Sequence, residues 1–170
     1  MKKIAYLFPF LLLFLGSCAG YHIGPIQPKF MAGIKTIAVP VFKNDSLKPR
    51  IEVLTADTVI RQIQEDGTYR IVGTPEEADA VLNGTITEVN RSPMRSLSKN
   101  TLATTEFTLT VRLKCSITRR DTGEVIEKGT VEGQTTYYIG NDMNEGERQA
   151  LPLAVKDAAV RLVGQISEGW

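Results

Sequence analysis

Apolar and polar residues alternate without a break along residues 107–118. Phe107, Leu109, Val111, Leu113, Cys115 and Ile117 form one set, and Thr108, Thr110, Arg112, Lys114, Ser116 and Thr118 the other. Successive side chains of a strand point to opposite faces, so this pattern predicts an antiparallel strand with one buried and one wet face. Cys115 falls in the apolar set and reads as a core residue rather than a reactive thiol. Residues 119–124 form a tight turn, with Gly123 placed for positive φ, and residues 125–139 return as the partner strand. At ~3.3 Å per residue the ribbon reaches ~50 Å, longer than a compact domain of this size needs. One end therefore projects and is open to a partner.

Residues 34–42 are almost continuously apolar and predict a strand buried on both faces. Pro40 lacks a ladder donor and belongs at an open edge or a strand end. Asn44, Asp45 and Ser46 turn the chain, and Pro49 suits the first turn of a helix running to about residue 66. Val53, Ala56, Val59, Ile60 and Ile63 make its apolar stripe, and Gly67 its stop. Short strands follow at 68–72 and 80–89, the latter with Gly84 at a bulge or a close contact. Residues 144–170 form a closing helix with a stripe of Leu151, Val155, Ala158, Ala159, Leu162 and Ile166. Each helix must bury one face, and a sheet with one apolar face supplies the surface. The expected fold is α+β, with two helices on one face of a mostly antiparallel or mixed sheet of about four to five strands, including a long C-terminal hairpin. The opposite sheet face, with its threonines, Arg112 and Lys114, is left for solvent or a ligand.

The N-terminal stretch changes this picture. Lys2 and Lys3 precede an apolar run at residues 4–15, too short for the ~20 residues of a spanning helix. Leu15-Gly16-Ser17-Cys18 then reads as the cleavage site of a lipoprotein signal peptide, with Cys18 as the lipidated residue. Two or more acyl chains hold a domain durably at a membrane. Ala19 after Cys18, where an aspartate is absent, favours the outer membrane by resemblance to Gram-negative lipoproteins. The expected organisation is a signal peptide at 1–17, a Gly- and Pro-rich tether at 18–33 and one domain at 34–170.

The precursor carries a formal charge of +1, and loss of Lys2 and Lys3 leaves −1, which does not suit a general nucleic-acid binder. His22 is the single histidine, so neither a histidine relay nor a multi-histidine metal site is available. There is no phosphate loop, GxSxG or CxxC, and no cofactor and no enzymatic activity are expected. Within residues 89–105, Arg91, Arg95 and Lys99 lie in a stretch without an acid, and Ser92, Pro93, Ser96, Ser98 and Asn100 predict an irregular exposed loop. Such a loop is either merely solvated or an anion contact, with a phosphorylated lipid as the natural ligand.

Taken in order, several segments resemble the LptE family of lipopolysaccharide-assembly lipoproteins. They are Cys18 followed by Gly20-Tyr21-His22-Ile23-Gly24, then Ile37-Ala38-Val39-Pro40-Val41-Phe42-Lys43-Asn44, then Ala78-Asp79-Ala80-Val81-Leu82-Asn83-Gly84-Thr85-Ile86, the strand opening Glu106-Phe107, and Glu147 and Ala150 before the last helix. The resemblance implies an outer-membrane lipoprotein on the periplasmic face that plugs the β-barrel LptD and takes part in lipopolysaccharide insertion into the outer leaflet. It also implies lipopolysaccharide contact through basic residues, for which Arg91, Arg95, Lys99, Arg112 and Lys114 are the candidates. Lipoproteins that regulate a cell-wall synthase, or that build a CsgG-type secretion pore, share the "IAVPVF" and "ADAVL" segments. They place a helical insertion where this chain has only residues 73–79, too few for a helix of ordinary length.

Overall fold

A computed structural model describes residues 27–96, 104–138 and 143–169. The expected signal peptide, Cys18 and Trp170 fall outside them. The strands are β1 (Thr36–Ala38), β2 (Lys43–Asn44), β3 (Arg70–Val72), β4 (Ala80–Ser96), β5 (Thr104–Arg119) and β6 (Val125–Tyr138); the helices are α1 (Ile51–Asp66) and α2 (Met143–Glu168). The sheet runs β3-β1-β4-β5-β6, and β2 pairs with β4 off this path. Strand β1 is parallel to β3 and β4, whereas β4, β5 and β6 form an antiparallel ribbon. Both helices cover one face of this mixed sheet, and a single apolar core fills the space between.

Six strands replace the expected four to five because the apolar run at 34–42 breaks at its proline. Strand β1 ends at Ala38, before Pro40, and pairing resumes only at Lys43. All three residues of β1 are buried, as a strand inside a parallel sheet requires. Asp79 locks the entry to it. The backbone N–H groups of Lys35 and Thr36 each donate to Asp79 Oδ2 at 2.9 Å, and the Asp79 N–H donates to Thr36 Oγ1 at 2.8 Å. These backbone donors hold the Asp79 carboxyl below its ordinary pKa.

Helix α1 starts at Ile51, two residues later than Pro49 suggests, after Arg50 in the left-handed region at φ 63°. Its buried face also differs from the expected stripe: Val53 is 46% exposed, while Thr55 and Thr58 are buried. Both threonines return their hydroxyl to the carbonyl four residues back, at 2.7 Å, so neither buries an unpaired donor. Gly67 closes the helix at φ 76°, its N–H donating to Ile63 O. Between β3 and β4 there is only a 3₁₀ turn at Pro75–Glu77, so no helix is inserted there.

Gly84 proves to be a close contact: a β-carbon there would sit 2.6 Å from the Phe42 ring. Cys115 is buried on the helix side of β5, and desolvation pushes its thiol up to about 12. Upstream of β1, a 3₁₀ turn at Lys29–Met31 seats Met31 fully in the core. Pro28 packs beside Gly169, just past the end of α2.

Candidate functional site

The expected loop at 89–105 is strand through residue 96, because β4 continues to Ser96 and pairs with β5 along its whole length. Turn-forming Ser92 and Pro93 are tolerated because β2 reaches only Thr85 and Ile86, which leaves this part of β4 with one free side. The strand also carries a bulge. Ile86 opposes Leu113 and Glu88 opposes Arg112, so Thr87 is the extra residue. Beyond it the alternation shifts, and Arg91 opposes Leu109 on the helix side of the sheet.

Arg91 therefore leaves the open face. Its guanidinium carbon lies 5.3 Å from the Phe107 ring centroid, and Nη1 stands 3.5 Å from Glu147 Oε2 at the start of α2. Lys48 pairs with the same Glu147 carboxylate, and Phe107 stacks on Tyr137 at 6.0 Å between centroids. This cluster ties β4, β5, β6, α2 and the loop before α1 together at the far end of the ribbon. Arg95 opposes Glu106 near the end of β4, and Lys99 lies outside the described residues.

The open face divides into two zones. Arg112 sits between two acids: Nε donates to Glu132 Oε1 at 2.7 Å and Nη1 donates to Glu88 Oε2. The hydrogen bond to Glu132, with both carboxylate charges, raises the Arg112 pKa further. Toward the hairpin turn the acids stop. Thr85, Lys114 and Thr130 form one row across β4, β5 and β6; Asn83, Ser116 and Lys128 form the next; and Lys43 of β2 stands beside Thr85. These residues line a shallow trough of about 630 Å³. Lys43, Lys114 and Lys128 are exposed, and among the described residues none of the three makes an ion pair.

Of the five predicted basic contacts, then, the fold keeps Lys114 open, commits Arg112 to acids, and turns Arg91 toward α2. Lys43 and Lys128 were not among them. Neither was within reach of sequence reasoning: counting back from the turn at Gly123 sets Ser116 opposite Glu127, and only the extra residue at Ile126 brings Lys128 there. The position of Lys43 depends on a parallel crossover that no periodicity announces. Cross-strand neighbours two strands apart are ~10 Å from each other and diagonal neighbours ~7–8 Å, so three cations are held at fixed spacing on a stiff surface. That surface can take an anion with several oxygens, through ammonium groups and the hydroxyls of Thr85, Ser116 and Thr130. Among the described residues no cluster suits a metal ion, and no helix is long and apolar enough to cross a membrane.

Comparison with known proteins gives the same architecture a context. The family model for lipopolysaccharide assembly, LptE, matches residues 34–166. No curated protein matches. A protein from Xanthomonas campestris is similar at 14% identity and a TM-score of 0.55, over 84% of this chain and 87% of that one. The PelC dodecamer protein of Paraburkholderia phytofirmans is similar at 14% identity and a TM-score of 0.52, over 78% and 89%. A minor lipoprotein of Acinetobacter baumannii is similar at 18% identity and a TM-score of 0.51, over 78% and 92%. At these identities the solved structures share the fold.

Proposed function

The chain belongs to the LptE family of lipopolysaccharide assembly, and from that premise we propose that it is lipidated at Cys18, faces the periplasm from the outer membrane, and plugs the LptD β-barrel while its lysine face contacts lipopolysaccharide. The observation that carries the contact is the trough of Lys43, Lys114 and Lys128, where three cations share one sheet face with Thr85, Ser116 and Thr130 and, among the described residues, no acid lines the trough. Phosphate groups offer the charge that ammonium groups attract and the acceptor oxygens that hydroxyls and ammonium donors fill. The cations stand on three different strands of one hydrogen-bonded sheet, so they are pre-spaced and lose little freedom on binding.

The anchored end is compatible with this contact. The tether joins the domain at Pro28 to Met31, and Phe30 reaches the level of Cys115 and Gly129, which is also the level of the lysine rows. The Arg91 cluster lies at the other end of the ribbon. A lipid anchor and a lipid-headgroup contact at one end leave the other end to extend into the partner.

Two measurements test the proposal on the full lipidated chain. Joint substitution Lys43→Glu, Lys114→Glu and Lys128→Glu is expected to weaken lipopolysaccharide binding by about tenfold or more while the circular dichroism spectrum stays the same. Unchanged binding would remove the lysine face from the mechanism. A pull-down from outer membranes is expected to bring a stoichiometric large β-barrel; recovery of a cell-wall synthase or of a self-assembled ring instead would overturn the plug role.

A further inference from the structure

Among the described residues, strand β6 is the last strand of the sheet and pairs with β5 alone. Its outer edge is a row of backbone donors and acceptors, of the kind to which an extended segment adds as one more strand. The direction of that edge is fixed by one bond. Gln134 donates its N–H to Asp157 Oδ2 of α2 at 2.9 Å, away from β5. Strand alternation has period two, so Glu132 and Thr130 aim their N–H and C=O groups the same way. Asp157, itself held by Arg161 Nε at 3.1 Å, thus closes the edge at Gln134, and toward the hairpin turn no described residue pairs with it.

A groove of about 760 Å³ runs beside that open part, between Thr130–Glu132 and the flank of α2. Val160 stands in its wall at 45% exposure, and Gly164, with nothing within 4 Å of its β-carbon position, leaves a gap in the helix surface. Acids outnumber cations in the groove: among the described residues Asp66, Glu132, Asp157 and Glu168 line it against Arg161, although Glu132 also pairs with Arg112 and Asp157 with Arg161. The opposite sign of the open sheet face, with its lysines, makes this polarity a local feature of the groove.

We propose that the β6 edge at Thr130–Glu132 and the acidic groove beside it form a docking site for an extended basic segment of a partner protein, bound by strand addition. Alternate side chains of the added strand would face Val160 and the carboxylates, so the segment that fits has basic and small apolar residues in alternation. The closure at Gln134 limits it to about seven residues, running from the hairpin turn to Glu132.

The test uses the full chain in detergent micelles and a capped synthetic peptide of alternating lysine and valine, with the glutamate-for-lysine peptide as its counterpart. Binding is followed by fluorescence anisotropy and by amide hydrogen exchange. The expected result is peptide-dependent protection of the Thr130 and Glu132 amides, with the acidic peptide at least about tenfold weaker. Thr130→Pro removes an edge donor without touching the ladder to β5, and Val160→Lys places a cation in the groove on an exposed helix position. Each is expected to weaken the lysine peptide by about tenfold. If Thr130→Pro fails to fold, Val160→Lys still decides. Equal binding of both peptides, no protection at Thr130 and Glu132, or indifference to Val160→Lys would overturn the proposal. Protection that appears without peptide and grows with protein concentration would also overturn it, by assigning the edge to a second copy of this chain.

Discussion

Gly133 of β6 lies so close under α2 that a β-carbon on it would stand 2.1 Å from the carbonyl oxygen of Ala154. The same atom would come within 2.3 Å of the Ala158 backbone nitrogen. Backbone on both sides leaves nothing that can rotate away. Gly133→Ala should therefore lift the helix off the ribbon and lower stability by ~3 kcal/mol or more, read as a fall in the denaturant midpoint. At Gly84 the neighbour is the Phe42 ring, a side chain, and Gly84→Ala should cost less than Gly133→Ala in the same assay.

Asp79 accepts two backbone N–H bonds that fix the entry to β1, and Asp79→Ala should lower stability by ~1–2 kcal/mol. The pH dependence follows from the lowered folded-state pKa. Above the unfolded-state value of about 4 the stabilisation is fully present, and it is lost as pH falls through the lower folded-state value. Acid unfolding curves of the wild type and of Asp79→Asn should accordingly converge below about pH 4. A stability difference that persisted unchanged in acid would contradict this role.

Two buried tyrosines should behave in opposite ways. Tyr69 donates its hydroxyl to Ile166 O at 2.6 Å, and burial, with the Asp66 charge, pushes its pKa up to about 12. Tyr69→Phe should cost ~1 kcal/mol, since it leaves a buried carbonyl without its donor. The phenol's contribution is complete below its ordinary pKa of 10.0 and fades as pH rises toward 12. Tyr137, by contrast, buries a hydroxyl that has no hydrogen-bond partner among the described residues. Tyr137→Phe keeps the stack on Phe107 and removes the orphaned group, so thermal melts should show it neutral or more stable by ~1 kcal/mol.

Cys115 should resist alkylation in the folded chain. The residue is 8% exposed, and its thiol, with a pKa pushed up to about 12, is almost entirely protonated near neutral pH. Iodoacetamide should label it only after denaturation, with mass spectrometry as the readout; rapid labelling of the native chain would mean that the sheet opens at β5.

The parts of the molecule governed by a single period were legible in the sequence. Alternation along residues 107–118 named the inward residues of β5 from Phe107 to Ile117, and the apolar rows placed both helices on one face. What escaped was set by interactions that carry no period. Pro40 split one apolar run into two strands, and Ser92 and Pro93 looked like loop although strand β5 held them in a ladder. Thr55 and Thr58 entered the core because each could return its hydroxyl to its own helix. The candidate residues were redistributed by the same kind of interaction. The bulge at Thr87 displaced Arg91 to the far side of the sheet, and Arg112 found acids on both neighbouring strands. Lys114 kept its place because the alternation along β5 carries it to the open face without interruption.

The contact of Pro28 with Gly169, and the burial of Met31 behind it, also decide how the domain bears load. A pull on the chain upstream of Gln27 meets the end of α2 and the core before it meets the sheet. If it passes them, it enters β1 along the strand's own axis, between parallel neighbours on both sides. Those ladders are then sheared together, with bonds on both flanks resisting at once, where a strand peeled from an edge would give way one bond at a time.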